Sequence, residues 1–219
     1  MTARHLIPGL AVATLFVPRT GAAEQLVAVP REALHVTEGR LEPGARMRVE
    51  APKFRAVASG ADGSAAELRF TYLGRTQEAA PLRSGEMREQ LGLKLLAADG
   101  CNVLYAMWRI APRPGLVVSL KRNLGQHRSD ECTNRGYQNL KAPRAIPVAA
   151  PKSGSAHVLA AVLRGDRLEV RVDGAVVWDG PLPPEALELH GPAGLRSDNA
   201  RILFELAVAS GPGRGVGTH

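Results

Sequence analysis

HVLAAVLRGDRLEVRVDGAVVWDG, residues 157–180, holds three short runs of strand-forming residues separated by two turn signals. In Arg167–Asp173, Leu168, Val170 and Val172 alternate with Arg167, Glu169, Arg171 and Asp173. A period of two buries one face of a strand and wets the other. Gly165-Asp166 and Asp173-Gly174 interrupt the runs. Asp-Gly suits a two-residue type I′ hairpin, whose central residues both need positive φ. The stretch predicts three consecutive antiparallel strands.

The same period recurs on either side. Leu68, Phe70 and Tyr72 alternate with Glu67, Arg69 and Thr71; Ile202, Phe204, Leu206 and Val208 share one face of Arg201–Val208; Met47 and Val49 do so in Arg46–Glu50. Val103–Trp108, Leu116–Leu120 and His157–Leu163 are apolar on both faces, as strands near the middle of a packed sheet are. Leu91, Leu93 and Leu95 alternate with Gly92 and Lys94; a helix from Glu86 onward is the alternative, weakened by Gly92. Only Pro184–Leu189 predicts a helical turn. Short strands punctuated by Gly and Pro predict an all-β sandwich or barrel. The Pro/Ala/Ser-rich Lys141–Ser155 reads as a surface connection within one sandwich, since two halves would be too small to bury separate cores.

With 219 residues, 45% of them hydrophobic, the chain has the length and composition of one ordinary domain, not of a disordered, collagen-like or cysteine-scaffold protein. Its first residues combine Arg4, the apolar run LIPGLAVATLFV and the small residues Gly21-Ala22-Ala23. That is the pattern of a secretory signal peptide, and the run is too short for a bilayer-spanning helix. The expected organisation is a leader at 1–23, a single sandwich domain at 24–209 and a disordered Gly-rich tail at 210–219, with the mature protein secreted or periplasmic. In an exported chain Cys101 and Cys132, 31 residues apart, predict one disulfide. Closing that loop stabilises the fold by about 3–4 kcal/mol in the chain-entropy model.

HVLAAVLRGDRLEVRVDGAVVWDG, followed by GPAGLRSDNARILFEL at 191–206, resembles the final third of a concanavalin A-like jelly roll. The likeness extends to laminin-G-like modules and to sandwich domains of bacterial sugar hydrolases, and it covers Ser155–Val208 closely. It implies two antiparallel sheets in a jelly-roll β-sandwich. It implies no activity, because the same sandwich hosts lectins, hydrolases and inert modules. Glucanases of the laminarinase type in this superfamily carry E-x-D-x-x-E on one strand; no E-x-D occurs in this chain. The pairs Glu86/Glu89 and Asp166/Glu169 fall on opposite strand faces or across a turn, so no catalytic residues carry over.

Other motifs are missing as well. There is no G-x-S-x-G, HExxH, HxH or Walker-type loop, and no G-x-G-x-x-G follows a strand. No cofactor, no metal and no nucleic-acid partner is expected, and no integral membrane association. Ser197-Asp198-Asn199 reads as a side-chain-stabilised turn before the last strand.

Charge marks one region. The formal charge is +7; without residues 1–23, which hold Arg4 and Arg19, 26 bases face 21 acids. Between Arg109 and Arg144 lie eight bases and only two acids, Asp130 and Glu131. Outside the cytoplasm such a stretch would draw acidic glycans or other envelope polyanions. It contains a polar loop that the disulfide would pin, with an aromatic nearby, and amides, guanidiniums, carboxylates and rings suit sugar hydroxyls and sugar faces. The expected ligand-binding residues are Trp108, Arg109, Lys121, Asn123, His127, Arg135 and Tyr137. The expected function is a non-catalytic module binding carbohydrate or an acidic envelope polymer. The alternatives are a glycoside-active enzyme led by Asp130 and Glu131, whose carboxyls would face each other across a cleft, and a structural envelope protein.

Overall fold

The computed structural model describes residues 25–210. The expected leader, and the expected tail from residue 211 onward, lie outside the described residues; Ser210 is the last residue of a strand. Fifteen strands form two antiparallel sheets among the described residues, the jelly-roll sandwich that the strand pattern and the resemblance imply.

The deciding stretch forms β11 (Ala156–Arg164), β12 (Arg167–Val172) and β13 (Ala175–Pro181), paired in sequence order. Asp173 and Gly174 sit at φ 50° and 82°, the conformation a type I′ turn demands. Sheet A places them beside β5 (Ala61–Arg75), β15 (Ala200–Ser210) and β1 (Leu26–Ala28), in the order β1-β15-β5-β11-β12-β13-β10, where β10 is Arg144–Ala145. β3 (Met47–Val49) also pairs with β15. Sheet B runs β2-β4-β14-β6-β7-β8-β9, made of Leu34–Glu38, Lys53–Ala58, Gly194–Asp198, Glu89–Leu95, Val103–Ala111, Gly115–Lys121 and Tyr137–Asn139.

The facing sides of the sheets make one core. Sheet A contributes Leu68, Phe70, Leu159, Leu168, Val170, Ile202, Phe204 and Leu206; sheet B contributes Phe54, Leu91, Leu93, Leu95, Leu104, Trp108, Leu120 and Leu195. Phe54 meets Phe204 with ring centroids 6.3 Å apart, and Phe70 meets Trp108 edge-on at 5.7 Å. Leu91, Leu93 and Leu95 all point inward from β6, so the alternation, not the helical alternative, governs this segment. Two short helices complete the fold: α1 (Ser129–Cys132) and α2 (Pro184–Leu187), the latter where the helical turn is expected. No helix among the described residues is long and apolar enough to cross a membrane.

The 141–155 connection carries the chain from the edge of sheet B to β10 at the edge of sheet A. Between β10 and β11 it is anchored: Val148 is buried in the core, and the Trp108 indole N–H donates to the Ala149 carbonyl at 2.9 Å.

Candidate functional site

Inward leucines on a strand require that the residues between them point outward. On sheet B those residues line a cleft of about 860 Å³, within the range of small-ligand sites. The strand registers arrange its floor in rows. One row runs Val57, Gly194, Lys94, Tyr105, Ser119, Asn139 across six strands. The next runs Arg55, Arg196, Gly92, Met107, Val117. A third places Asp198, Gln90 and Arg109 side by side. Gly92 has no alternative in its row: a Cβ there would sit 2.2 Å from the Ala106 carbonyl oxygen.

One wall is the 122–136 loop. The Cys101–Cys132 disulfide is formed, as expected, and it is one of several ties. Asp99 accepts the backbone N–H groups of Cys101 and Asn102, the Asn102 amide, and a contact of 2.7 Å with His127 Nδ1. Asn102, itself buried, donates to the Gln126 carbonyl and accepts from the Asn123 N–H. The opposite wall is the segment Leu82–Arg88, whose Arg88 pairs with Glu86.

The floor is densely charged. Arg55, Arg88, Lys94, Arg109, Lys121 and Arg196 all line it. Arg196 is held by the fully buried Asp198, Nε to Oδ2 at 2.8 Å, and Asp198 also accepts from Gln90 at 2.7 Å and from Arg55 at 3.4 Å. Arg55 pairs with Glu38 at the cleft's edge. Burial works against the Asp198 carboxylate, but Arg196 and Arg55 outweigh it and hold its pKa below the usual value. Lys121 Nζ donates to the Gly100 carbonyl and to Cys132 Sγ, both at 3.0 Å. Lys94, 5% exposed, has no hydrogen bond or ion pair among the described residues. Burial, with the charges of Arg55 and Arg196, lowers the Lys94 pKa to about 8; burial and the same two guanidiniums bring Lys121 to about 8.

An aromatic stack stands beside these charges. Tyr105 and Tyr137 are nearly parallel, with centroids 6.2 Å apart. Arg196 lies over the Tyr105 ring at 5.2 Å and donates to the Tyr137 hydroxyl at 3.2 Å, while Lys121 lies over the Tyr137 ring at 5.3 Å. Tyr105 is buried and its pKa is pushed up to about 12, chiefly by burial; Tyr137 is 40% exposed at the cleft.

Of the seven expected ligand-binding residues, Arg109, Lys121, His127 and Tyr137 line this cleft. Trp108 does not. It is 2% exposed between the sheets, because on β7 it alternates with Met107 and Arg109 and so takes the inward face. Asn123 is spent within the loop, donating to the Cys101 and Arg135 carbonyls, and Arg135 donates to the Glu131 carbonyl away from the cleft. Sequence reasoning passed over Arg55, Lys94 and Arg196. The signal available was a base between two inward apolar residues: Phe54-Arg55-Ala56, Leu93-Lys94-Leu95, and Arg196 after Leu195. The basic stretch 109–144 is divided: Arg109, Lys121 and Arg128 reach the cleft, Arg122 pairs with Glu188, and Arg144 lies on β10 in the other sheet.

Asp130 and Glu131 are neighbours on α1. Asp130 pairs with Arg128, and Glu131 accepts the N–H groups of His127 and Arg128 as a helix cap. Of the expected Ser197-Asp198-Asn199 turn, Ser197 and Asp198 prove to be the last two residues of β14, and only Asn199, at φ 54°, turns the chain into β15, with Ser197 Oγ donating to the Ala200 carbonyl. No cluster of three potential metal-ligating side chains occurs among the described residues. On sheet A, His157 bridges Ser155 and Asp173, at 2.8 Å to each, and packs edge-on against Trp108; this ties the start of β11 to the β12–β13 turn.

No protein-family model matches the chain. No curated protein matches it in sequence. Solved structures do match in fold. The carbohydrate-binding module CBM66 from Bacillus subtilis aligns with a TM-score of 0.53 at 13% identity, over 78% of this chain and 91% of that one. The Crh5 transglycosylase, solved in complex with NAG, aligns at 0.50 and 12%, over 88% and 86%. A structure from work on endo-acting O-glycanases with which human gut microbiota initiate mucin breakdown aligns at 0.50 and 10%, over 84% and 95%. At these identities the likeness is one of fold.

Proposed function

We propose that the sheet B cleft binds carbohydrate and that the protein is an exported, non-catalytic binding module. The observation that carries this reading is the Tyr137 ring, exposed at the mouth of a polar cleft and backed by a parallel Tyr105. A rigid aromatic face beside hydrogen-bonding groups is what a sugar ring needs: apolar C–H surface on one side, hydroxyls at the edge. The sugar-related neighbours in fold, the carbohydrate-binding module among them, agree with it. The formed disulfide agrees with export, since such bonds persist in oxidising compartments.

The catalytic alternative meets an electrostatic obstacle. Glycoside cleavage uses a pair of carboxyls, one of them kept protonated as the acid. Here hydrogen bonding from Arg88 pulls the Glu86 pKa down, hydrogen bonding from Arg128 pulls Asp130 down, and Asp99 and Asp198 are lowered despite burial. Asp130 and Glu131 sit side by side on one turn, not across the cleft. An inert scaffold would leave no purpose for cations gathered in a concavity.

The test is affinity electrophoresis and calorimetry against a panel of neutral and acidic polysaccharides, with wild type and Tyr137→Ala. At least one polymer retards the wild type, and Tyr137→Ala weakens that interaction about 3- to 10-fold, the worth of one aromatic contact. Absence of binding to every polymer, or unchanged binding by Tyr137→Ala, overturns the reading.

A further inference from the structure

We propose that the ligand is an acidic glycan and that one of its carboxylate or sulfate groups is seated on Lys94 at the centre of the cleft floor. The inference rests on the carbohydrate reading above and narrows it to one chemical class.

Most cleft cations already have partners. Arg196 has Asp198 and the Tyr137 hydroxyl; Arg55 has Glu38 and Asp198; Arg88 has Glu86; Lys121 has a carbonyl and a disulfide sulfur. Lys94 and Arg109 have no carboxylate and no hydrogen-bond acceptor among the described residues. An exposed lysine without a partner is ordinary, because water solvates it. Lys94 is different: it is almost wholly buried and lines the cleft from a central strand, between Gly194 and Tyr105. Its only exposure is into the cleft, and an ammonium stripped of most of its water without a counter-charge is destabilising. A well-packed strand residue flanked by Leu93 and Leu95 would be apolar if stability alone were served. The missing counter-charge is therefore the ligand's.

The surroundings agree in sign. Arg55 on β4, Arg196 on β14 and Lys121 on β8 all add positive potential at Lys94, and Asp99 is the one acid acting on it appreciably. Asp198 is already neutralised by two guanidiniums. A neutral sugar would leave this potential unanswered, whereas an anion entering a low-dielectric cavity meets several fixed cations without having to order them. Beside Lys94, the stacked tyrosines give the sugar ring its apolar contact.

Two readouts test the proposal without depending on one variant. Calorimetry compares a polyuronate with its carboxyl-reduced, neutral counterpart, and a sulfated with an unsulfated glucan. The acidic member of one pair binds the wild type at least 10-fold more tightly; which pair does so identifies carboxylate or sulfate. Lys94→Met loses at least 10-fold of that affinity while its thermal midpoint stays level or rises, as removal of an unpaired buried charge allows. Replacing Lys141 and Arg144, which lie outside the cleft, leaves binding unchanged and so separates the site from diffuse attraction to a basic protein. In wild type, affinity for the acidic polymer falls as pH climbs through about 8, where Lys94 and Lys121 deprotonate together. Arg196, raised by Asp198, and the Tyr105 phenol keep their protons there, and the ligand's acids stay ionised. Equal affinity for acidic and neutral members of both pairs, or wild-type affinity in Lys94→Met, overturns the proposal. If neutral polymers bind through Tyr137 with no acid preference, the carbohydrate reading survives and this one does not. If nothing binds, both fall.

Discussion

The two outer faces of the sandwich carry similar side chains and put them to opposite use. On sheet A, Glu67 pairs with Arg69 at 2.6 Å, Glu169 with Arg171 at 2.9 Å and Arg167 with Asp179 at 2.7 Å. Two of these pairs are two residues apart on one strand and the third crosses to the next, so each charge is answered by a neighbour and bathed in water. On sheet B the outward bases converge into a concavity, and two of them are left unanswered among the described residues. The lesson is that base content does not make a binding surface. What separates the faces is burial and the absence of a local partner.

That contrast can be broken at measurable points. The largest effect is expected for Arg196→Ala, which leaves Asp198 buried with only Arg55 and Gln90: a loss of about 3–5 kcal/mol in urea unfolding, the range for stripping one partner from a buried ion pair. A loss below about 1 kcal/mol would mean that the network beneath the cleft is not held together by charge. Next is reduction of the disulfide, or Cys101→Ser with Cys132→Ser. It should cost about 3–4 kcal/mol, and hydrogen exchange should rise in the 122–136 wall while the β11–β13 meander stays protected. The smallest effect belongs to sheet A. Arg171→Ala should change stability by less than about 0.5 kcal/mol, as exposed pairs do, and leave polysaccharide binding untouched. A larger effect there would erase the distinction between the faces.

Much of the fold was legible because a period of two is a strong signal when one face is buried. Leu168, Val170 and Val172, and Ile202 through Val208, announce their sheet face directly, and Asp173-Gly174 announces its turn. The site was legible only where it coincides with a single segment: Lys121, His127 and Tyr137 lie within one loop and its flanking strands. Lys94, Arg55 and Arg196 are 39 to 141 positions apart in pairs and meet only through the registers of β4, β14 and β6, which no local pattern reveals. Trp108 shows the reverse error. An aromatic next to a base draws attention, yet the alternation of β7 sends the indole into the core and the guanidinium of Arg109 out.

The sulfur at the cleft wall would make this electrostatic surface sensitive to reduction of the disulfide. Lys121 Nζ lies 3.0 Å from Cys132 Sγ, which as half of a disulfide carries no charge. Were the bond reduced, the adjacent ammonium would favour the thiolate, and an internal anion would take up part of the positive potential that a ligand otherwise meets. The same chain would then present a weaker cleft in a reducing compartment and its full charge only after oxidation.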